Sequence, residues 1–470
     1  MLLSYSYYST PPPPHATISF MFGKHGFWRG TTILAATTFL SYLLGFLRDR
    51  LFARTFGASP ELDAYNAAFI IPDLILNILV AGALAAAFTP VFGELLAKNN
   101  RDKAEETMSS VLNGALLTVL GLGILAALFA PWLTRLVAPG FDEPTRKLLI
   151  DLMRLLLVSP VVFAISNTLG SVLLTTKRFF FYGISPALYN LGIIAGAWFL
   201  APWWGIHGVV VGTLAGSALH LASRLIGAVG LGLRYRVTLT FSEATKKITL
   251  LMLPKMIGHP VEQLTFFGFT AIASTFGAGS IAVLNFARNF QSLPVGVIGI
   301  AAGLAIFPFF TEAGAQNNRD EFRAHLRQSV LAVLLFTVAA ATLMWLLSDW
   351  LIGLLLGGGK FDAEAIARTA STLAVFTLSI PTESVSHVLV RAFYALKNTW
   401  LPVSISLFGL AITIPAAYFL SSSLGIQALP LGFFIGSLTK VVFLGLLLPR
   451  EEKRYFTTEN DAASAIAEAA

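Results

Sequence analysis

The feature that most constrains this chain is a succession of long apolar segments separated by short polar breaks. They fall at 28–47, 63–96, 107–136, 147–175, 180–200, 205–230, 246–274, 279–312, 325–356, 365–395, 402–420 and 425–448. At roughly 1.5 Å per residue, about 20 apolar residues cross some 30 Å of hydrocarbon as a helix, and the short alternating pattern of barrel strands is missing. The reading is an all-α polytopic membrane protein with about 12 transmembrane helices. Composition agrees: 56% of residues are hydrophobic and only 12% charged, against roughly 25% charged in a soluble domain, and mean hydropathy is +0.73.

The chain has no cysteine, which excludes disulfides, thiolate nucleophiles and cysteine-based metal sites. Lys and Arg outnumber Asp and Glu by 32 to 25. In a membrane protein this excess reads as cytoplasmic loop bias, with no nucleic-acid partner. Lys98, Arg101, Lys103, Arg234, Arg236, Lys246, Lys247, Arg319, Arg323 and Arg327 share one side, which puts both termini in the cytoplasm. Residues 1–24 carry a polyproline run and no basic region before an apolar core; they read as a disordered cytoplasmic tail, and 451–470 as a second tail.

The halves repeat. A shift of 220 residues lays Phe141-Asp142 on Phe361-Asp362, Lys177 on Lys397, Phe199-Leu200 on Phe419-Leu420, Gly205-Ile206 on Gly425-Ile426, and Gly216-Ser217 on Gly436-Ser437. Two six-helix lobes, 25–236 and 237–450, follow from this. An even number of crossings gives both copies the same orientation, an arrangement that suits alternating access around a central cavity, although channels and scaffolds also use duplicated bundles.

The second and eighth segments are longest and are broken by Pro and Gly: Pro72, Gly82 and Pro90 in one, and Pro294, Gly296, Gly299, Gly303 and Pro308 in the other. Interrupted helices at matching places in two halves point to a substrate pathway, since freed backbone groups are tolerated only against protein or cavity water. Charges within segments belong on the same wet interior, because an Arg, Lys or Asp at a helix centre costs about 2.5–3.5 kcal/mol on insertion scales. The candidates are Asp73, Asp151 and Arg154, Lys255, His259 and Glu262, Arg288, and Glu383, His387 and Arg391. Asp151 and Arg154, three apart, are expected to pair with each other, and Lys440 to snorkel to the headgroups. Neither a Walker A loop, a His-Glu-x-x-His motif nor a metal-ligand pattern occurs, so the expectation is a non-enzyme without cofactor or metal.

Three blocks carry a family resemblance. "LLGFLRDRLFARTFGASPELDAYNAAFIIPDLILNILVAGALAAAFTPVF" (43–92), "FARNFQSLPVGVIGIAAGLAIFPFF" (286–310) and "FDAEAIARTASTLAVFTLSIPTESVSHVLVRAFYALKNTWLPVSIS" (361–406) resemble the MurJ (MviN) family of lipid II flippases. That resemblance implies a flippase of the bacterial inner membrane. It would carry an undecaprenyl-pyrophosphate-linked peptidoglycan precursor to the outer leaflet, with membrane lipids and cell-wall synthesis proteins as partners. It assigns substrate binding to Arg48, Asp49, Asp63, Asn77, Arg288 and Asn289; Asp73, Lys255, Glu262, Glu383 and Arg391 are further cavity charges. Asp49 or Asp63 is expected to orient Arg48, while Arg50, Arg54 and Glu61 read as a solvated connection. A transporter of another lipid-linked saccharide or amphipathic small molecule, or a non-transporting envelope-assembly partner, are the alternatives.

The chain departs from the family pattern at defined places. Tyr42 stands where an Arg is common, and Asp73, Leu76, Asn77 and Ala81 where Asn, Arg, Arg and Glu are usual. In the eighth segment Tyr-Ala-Asp/Asn-Arg is replaced by Phe286-Ala287-Arg288-Asn289, which turns the Arg by about 100° around the helix.

Overall fold

The computed structural model describes the backbone of residues 25–469 apart from Val80 and His259. Side chains are described from residue 30 to 457, apart from 79–83, 85, 86, 253–255 and 257–260. The 1–24 tail, the side chains of Lys255 and His259, and the side chains of the second tail beyond 457 therefore lie outside the described residues.

Helix α1 (His25–Phe56) is followed by a divided segment, α2 (Pro60–Ala68), α3 (Ile70–Leu79) and α4 (Ala81–Ala97). Next come α5 (Arg101–Leu128), α6 (Ala130–Val137), α7 (Glu143–Leu156) and α8 (Val158–Thr175). The first half closes with α9 (Phe179–Ala195), a π turn, α10 (Ala201–Trp204) and α11 (Ile206–Val229). The second half opens with α12 (Glu243–Gly258), α13 (Pro260–Ala273), α14 (Ser280–Pro294) and α15 (Ala301–Ala315). It ends with α16 (Arg319–Leu346), α17 (Ser348–Leu355), α18 (Ala363–Phe376), α19 (Ser379–Ala395), α20 (Trp400–Leu424) and α21 (Ala428–Ala469). The fold is all-α and polytopic; among the described residues the one extended pairing is an isolated bridge between Gly358 and Phe361.

Among the described residues, eight helical stretches are long and apolar enough to cross a membrane, or nine if α18 and α19, bent by 42°, form one crossing. Segments 60–97 and 243–273 include Val80 and His259, which lie outside the described residues, and enter this count only as pieces of 9 to 17 residues. The 58-residue stretch Trp400–Thr457 counts once although it reverses at Gly425, so that Gly432 packs on Ala417 and Gly436 on Thr413 in an antiparallel hairpin. Small residues at such contacts let helix backbones approach closely in lipid.

The sequence repeat is also a repeat of backbone geometry. Gly205 and Gly425 hold φ +55° and +56° with ψ −137° in both. Lys177 and Lys397 both sit at φ +61°, an unusual left-handed conformation for a residue with a side chain. Asp142 and Asp362 cap equivalent helices, accepting from the N–H of Thr145 and Ala365, the standard satisfaction of an orphan first-turn donor. In the eighth segment Pro294 leads into a π turn, Val295–Ile300. Proline cannot donate to the ladder, and a π turn absorbs the misfit. Gly299 and Gly303 within and after this turn lie against the backbone of Ser384 and His387 on α19, leaving no room for a Cβ at Gly299.

The halves are sealed together at one end. There Lys360 N–H donates to the Arg54 carbonyl (2.9 Å) and Gly140 N–H to Ser274 Oγ (3.0 Å). Arg50 donates to the carbonyls of Leu354 and Leu355, and Arg54 to that of Gly357. These two arginines therefore neutralise the carbonyl end of α17 across the seam, where cations are favoured; they are not merely a solvated connection. One apolar cluster at this end draws on both halves, from Phe52, Leu62 and Leu152 to Phe269, Ile281, Phe361 and Leu429. At the far end the clusters separate. One is built from α15, α16, α19, α20 and α21; the other from first-half helices together with Ile248 of α12.

Each half also buries one carboxylate at a far-end corner between two arginines. Glu105 on α5 is bridged by Arg101 and Arg236; Glu452 on α21 is bridged by Arg319 and Arg323 of α16. The acid comes from opposite partners in the two copies. Tyr455 and Phe456 dock beside the second corner, Phe456 on Phe322. The polar stretch after Arg450 thus continues α21 as a packed helix.

Candidate substrate site

Arg48 lies near the last turns of α1, with its side chain 26% exposed. Its Nε and Nη2 donate to Asp49 Oδ1 (3.1 and 2.9 Å) and its Nη1 to Asn190 Oδ1 on α9 (3.1 Å). The other Asp49 oxygen accepts from Asn289 Nδ2 on α14 at 2.8 Å. Asp49 thus orients Arg48 and at the same time joins the two halves. A guanidinium with a fixed carboxylate on one edge keeps a defined set of donors for an incoming anion.

Asp63 does different work. Its two oxygens accept from Gly279 N–H (2.6 Å) and Ala282 N–H (2.7 Å), and it is 2% exposed. It is the cap of α14, supplied from α2 of the other half. A negative charge at a helix N-terminus is favourable, and with both oxygens so engaged the residue belongs to the seal rather than to the expected substrate contacts. Asn77 gives its amide N–H to the Asp73 carbonyl one turn back (2.9 Å). Asp151 and Arg154 do not pair as expected: Arg154 Nε donates to the Ala127 carbonyl at 3.1 Å.

The one-position shift in the eighth segment has a visible consequence. Asn289, standing where the family has its Arg, takes the place facing Asp49. Arg288 points instead to Glu262 on α13, with Nη2–Oε1 at 2.8 Å, and lies over the Phe266 ring at 3.2 Å from its centroid. Asp73 and Glu383 are within electrostatic reach of the same guanidinium. Glu383 accepts from Gln291 Nε2 (2.9 Å), which also donates to Ser379 Oγ (3.1 Å). Lys440 lies within electrostatic reach of Glu383 and Glu262, and His387 within that of Lys440, Glu262 and Arg391. Arg391 lies over the rings of Phe307 (5.7 Å) and Tyr394 (5.9 Å).

The structure thus gathers the expected residues into two constellations. Arg48, Asp49, Asn289 and Asn190 form one; Asp73, Glu262, Arg288, Gln291, Glu383, His387, Arg391 and Lys440 form the other. Asn190, Gln291 and Lys440 were not expected there. The signal for Gln291 was its i+3 spacing from Arg288, whereas Asn190 is a lone amide in an apolar run. Arg224 was missed as well: it is 5% exposed in the first half, donating to the Ser166 carbonyl, Asn167 Oδ1 and Ser185 Oγ.

Broken helices, a duplicated bundle and interior charges shared between the halves define a multi-pass α-helical membrane protein of the transporter type. The family model described as Lipid II flippase MurJ matches residues 52–467, and the chain belongs to that family. A probable lipid II flippase MurJ of Rhizobium tropici is 29% identical over 396 residues, 81% of this chain and 73% of that protein. The lipid II flippase MurJ of Burkholderia cenocepacia is 27% identical, covering 89% and 83%. Among solved structures, Lipid II flippase MurJ in an inward closed conformation aligns with TM-score 0.78 at 25% identity over 91% of this chain and 90% of that one. An inward-facing multidrug resistance MATE family transporter of the MOP superfamily shares the fold, with TM-score 0.75 at 16% identity over 89% and 95%.

Proposed function

We propose that this chain is a flippase for a lipid II-like, undecaprenyl-pyrophosphate-linked peptidoglycan precursor. It moves the headgroup from the cytoplasmic to the outer leaflet of the bacterial inner membrane by alternating access between lobes 25–236 and 237–450. The observation that carries this reading is Arg48: a family-matched guanidinium, oriented by Asp49, at a link between the halves. A pyrophosphate is a multivalent anion, and Arg presents planar paired donors that stay charged. The lipid tail remains in the membrane while the headgroup crosses inside the protein.

No bond is made or broken in such a passage, so the protein acts without catalysis, metal or cofactor. In a cell with a negative interior, moving each net negative charge outward gains about 2.3 kcal/mol per 100 mV, enough to bias transport without nucleotide. The far end carries Lys98, Arg101, Lys103, Arg234, Arg236 and Arg319, and the positive-inside rule assigns it, with both termini, to the cytoplasm. The sealed end is then the outer one. Cell-wall synthesis proteins are the natural partners.

A second reading, transport of another lipid-linked saccharide or an amphipathic small molecule, is favoured by one observation. The guanidinium of Arg288 is already occupied by the Glu262 carboxylate at 2.8 Å. The experiment is complementation of cells depleted of their own lipid II flippase. Wild type is expected to restore growth and Arg48→Ala to lose it; failure of a well-expressed wild type, together with resistance to small amphipathic drugs, selects the second reading.

A further inference from the structure

Arg288 is the base of the second constellation held most directly, and its holder is a carboxylate. Glu262 Oε1 sits 2.8 Å from Nη2 while Phe266 covers the guanidinium face. The carboxylate comes from α13 and the guanidinium from α14. The Glu262 side chain is 63% exposed and that of Arg288 28%. A charged side chain this open within a membrane-spanning segment is tolerated only toward a wet interior, so the pair faces the space through which a headgroup passes. Burial does not lock it in place.

The charges decide what a new anion must do there. A pyrophosphate entering this space meets a guanidinium that is already paired, and it is repelled by the carboxylate that holds it. Binding at Arg288 requires an acid to leave it. Glu383 is fixed by Gln291, and Glu262 is the acid actually on the guanidinium.

We infer that Glu262 is a built-in stand-in for the anionic part of the cargo: it occupies Arg288 in the empty protein and gives up that place when a pyrophosphate-bearing headgroup arrives. This rests on the reading of the chain as a carrier of a pyrophosphate-linked lipid. The exchange keeps the guanidinium paired at every stage, so it is never left as an unpaired charge in the membrane interior, the costly case. It also makes the α13–α14 link conditional on whether cargo is present.

The test is equilibrium binding of undecaprenyl pyrophosphate to the purified full chain in nanodiscs, with undecaprenol as the uncharged control. Proteins compared are wild type, Glu262→Gln, Arg288→Ala, the double variant, and Arg48→Ala. Removing the competitor is expected to tighten binding in Glu262→Gln by about tenfold, the scale of close charge-pair couplings. Arg288→Ala should weaken binding, and Glu262→Gln should have no effect in the Arg288→Ala background. Equal or weaker binding by Glu262→Gln, with Arg48→Ala still impaired, overturns the stand-in role while the carrier reading survives. If wild type binds undecaprenyl pyrophosphate no better than undecaprenol, and Arg48→Ala changes nothing, the carrier reading falls and takes this inference with it.

Discussion

Arg48 and Asp63 sit fifteen positions apart, each in a stretch that names the family, yet their physical roles diverge. Arg48 is partly open, with its Nε and Nη2 held by Asp49 and its Nη1 by Asn190. Asp63 is closed off and both its oxygens are taken by backbone N–H groups 216 and 219 residues further on. Asp63→Ala leaves two first-turn donors of α14 without a partner; hydrogen bonds to a charged group are worth about 1.5–3 kcal/mol each. The variant is expected to unfold at a lower temperature, and its sealed end to open. The chain lacks cysteine, so a single Cys placed at Ala58 reports this through faster labelling by a membrane-impermeant maleimide. Labelling at the wild-type rate contradicts the capping role. The orientation of Arg48 by its neighbour was readable from sequence. The cap was not, because a local pattern cannot name a partner two hundred residues away. The fate of Arg288 was half readable: the shift by one position announced a turn of about 100°, but only the packing of α13 beside α14 supplies Glu262 as its new partner.

At the level of elements, the interruptions were legible because Pro and Gly have fixed consequences, and the π turn at Val295–Ile300 follows Pro294 directly. The hairpin within Trp400–Thr457 was legible too, since the polar break separates 402–420 from 425–448, and the contact of Gly432 with Ala417 agrees. The packing of 451–457 was missed: Glu452 and Phe456 look terminal in sequence but lie against α16, and Tyr455 lies against Lys397. Removing Glu452 leaves Arg319 and Arg323 without their common acid. Because those arginines are about half exposed, at 37% and 51%, solvent screening reduces the loss to about 1 kcal/mol. Glu452→Ala is expected to speed amide exchange through 451–457 while leaving α5 and the Glu105 corner unchanged. Uniform protection across both corners would show that Glu452 does not anchor the helix.

For the whole molecule, a constant shift in sequence became a constant shift in geometry, with Gly205 and Gly425 sharing one rare backbone conformation. What repetition could not reveal is the asymmetry of the seam. Helix-to-helix and backbone bonds around Arg54, Asp63, Gly140 and Lys360 tie the halves at one end, while at the far end the start of the second half is held to the first by Lys247–Glu94 and Asn113–Thr238 and the main second-half cluster stands apart. Alternating access requires that gathered set to break as a unit and the far end to close. A Cys pair replacing Ala58 and Ala278 at the seal is therefore expected to halt transport when oxidised and to restore it when reduced; transport that continues at full rate with the bridge formed excludes opening at this end.

The central claim is that this fold carries a pyrophosphate-linked lipid across the membrane using Arg48. Its most direct measurement is the rate at which lipid II changes leaflet in proteoliposomes holding the purified chain, under an imposed potential. Flipping is expected from wild type, with a loss of about tenfold or more in Arg48→Ala, the scale of one charge-assisted hydrogen bond or two. Equal rates in wild type, Arg48→Ala and protein-free liposomes would contradict it.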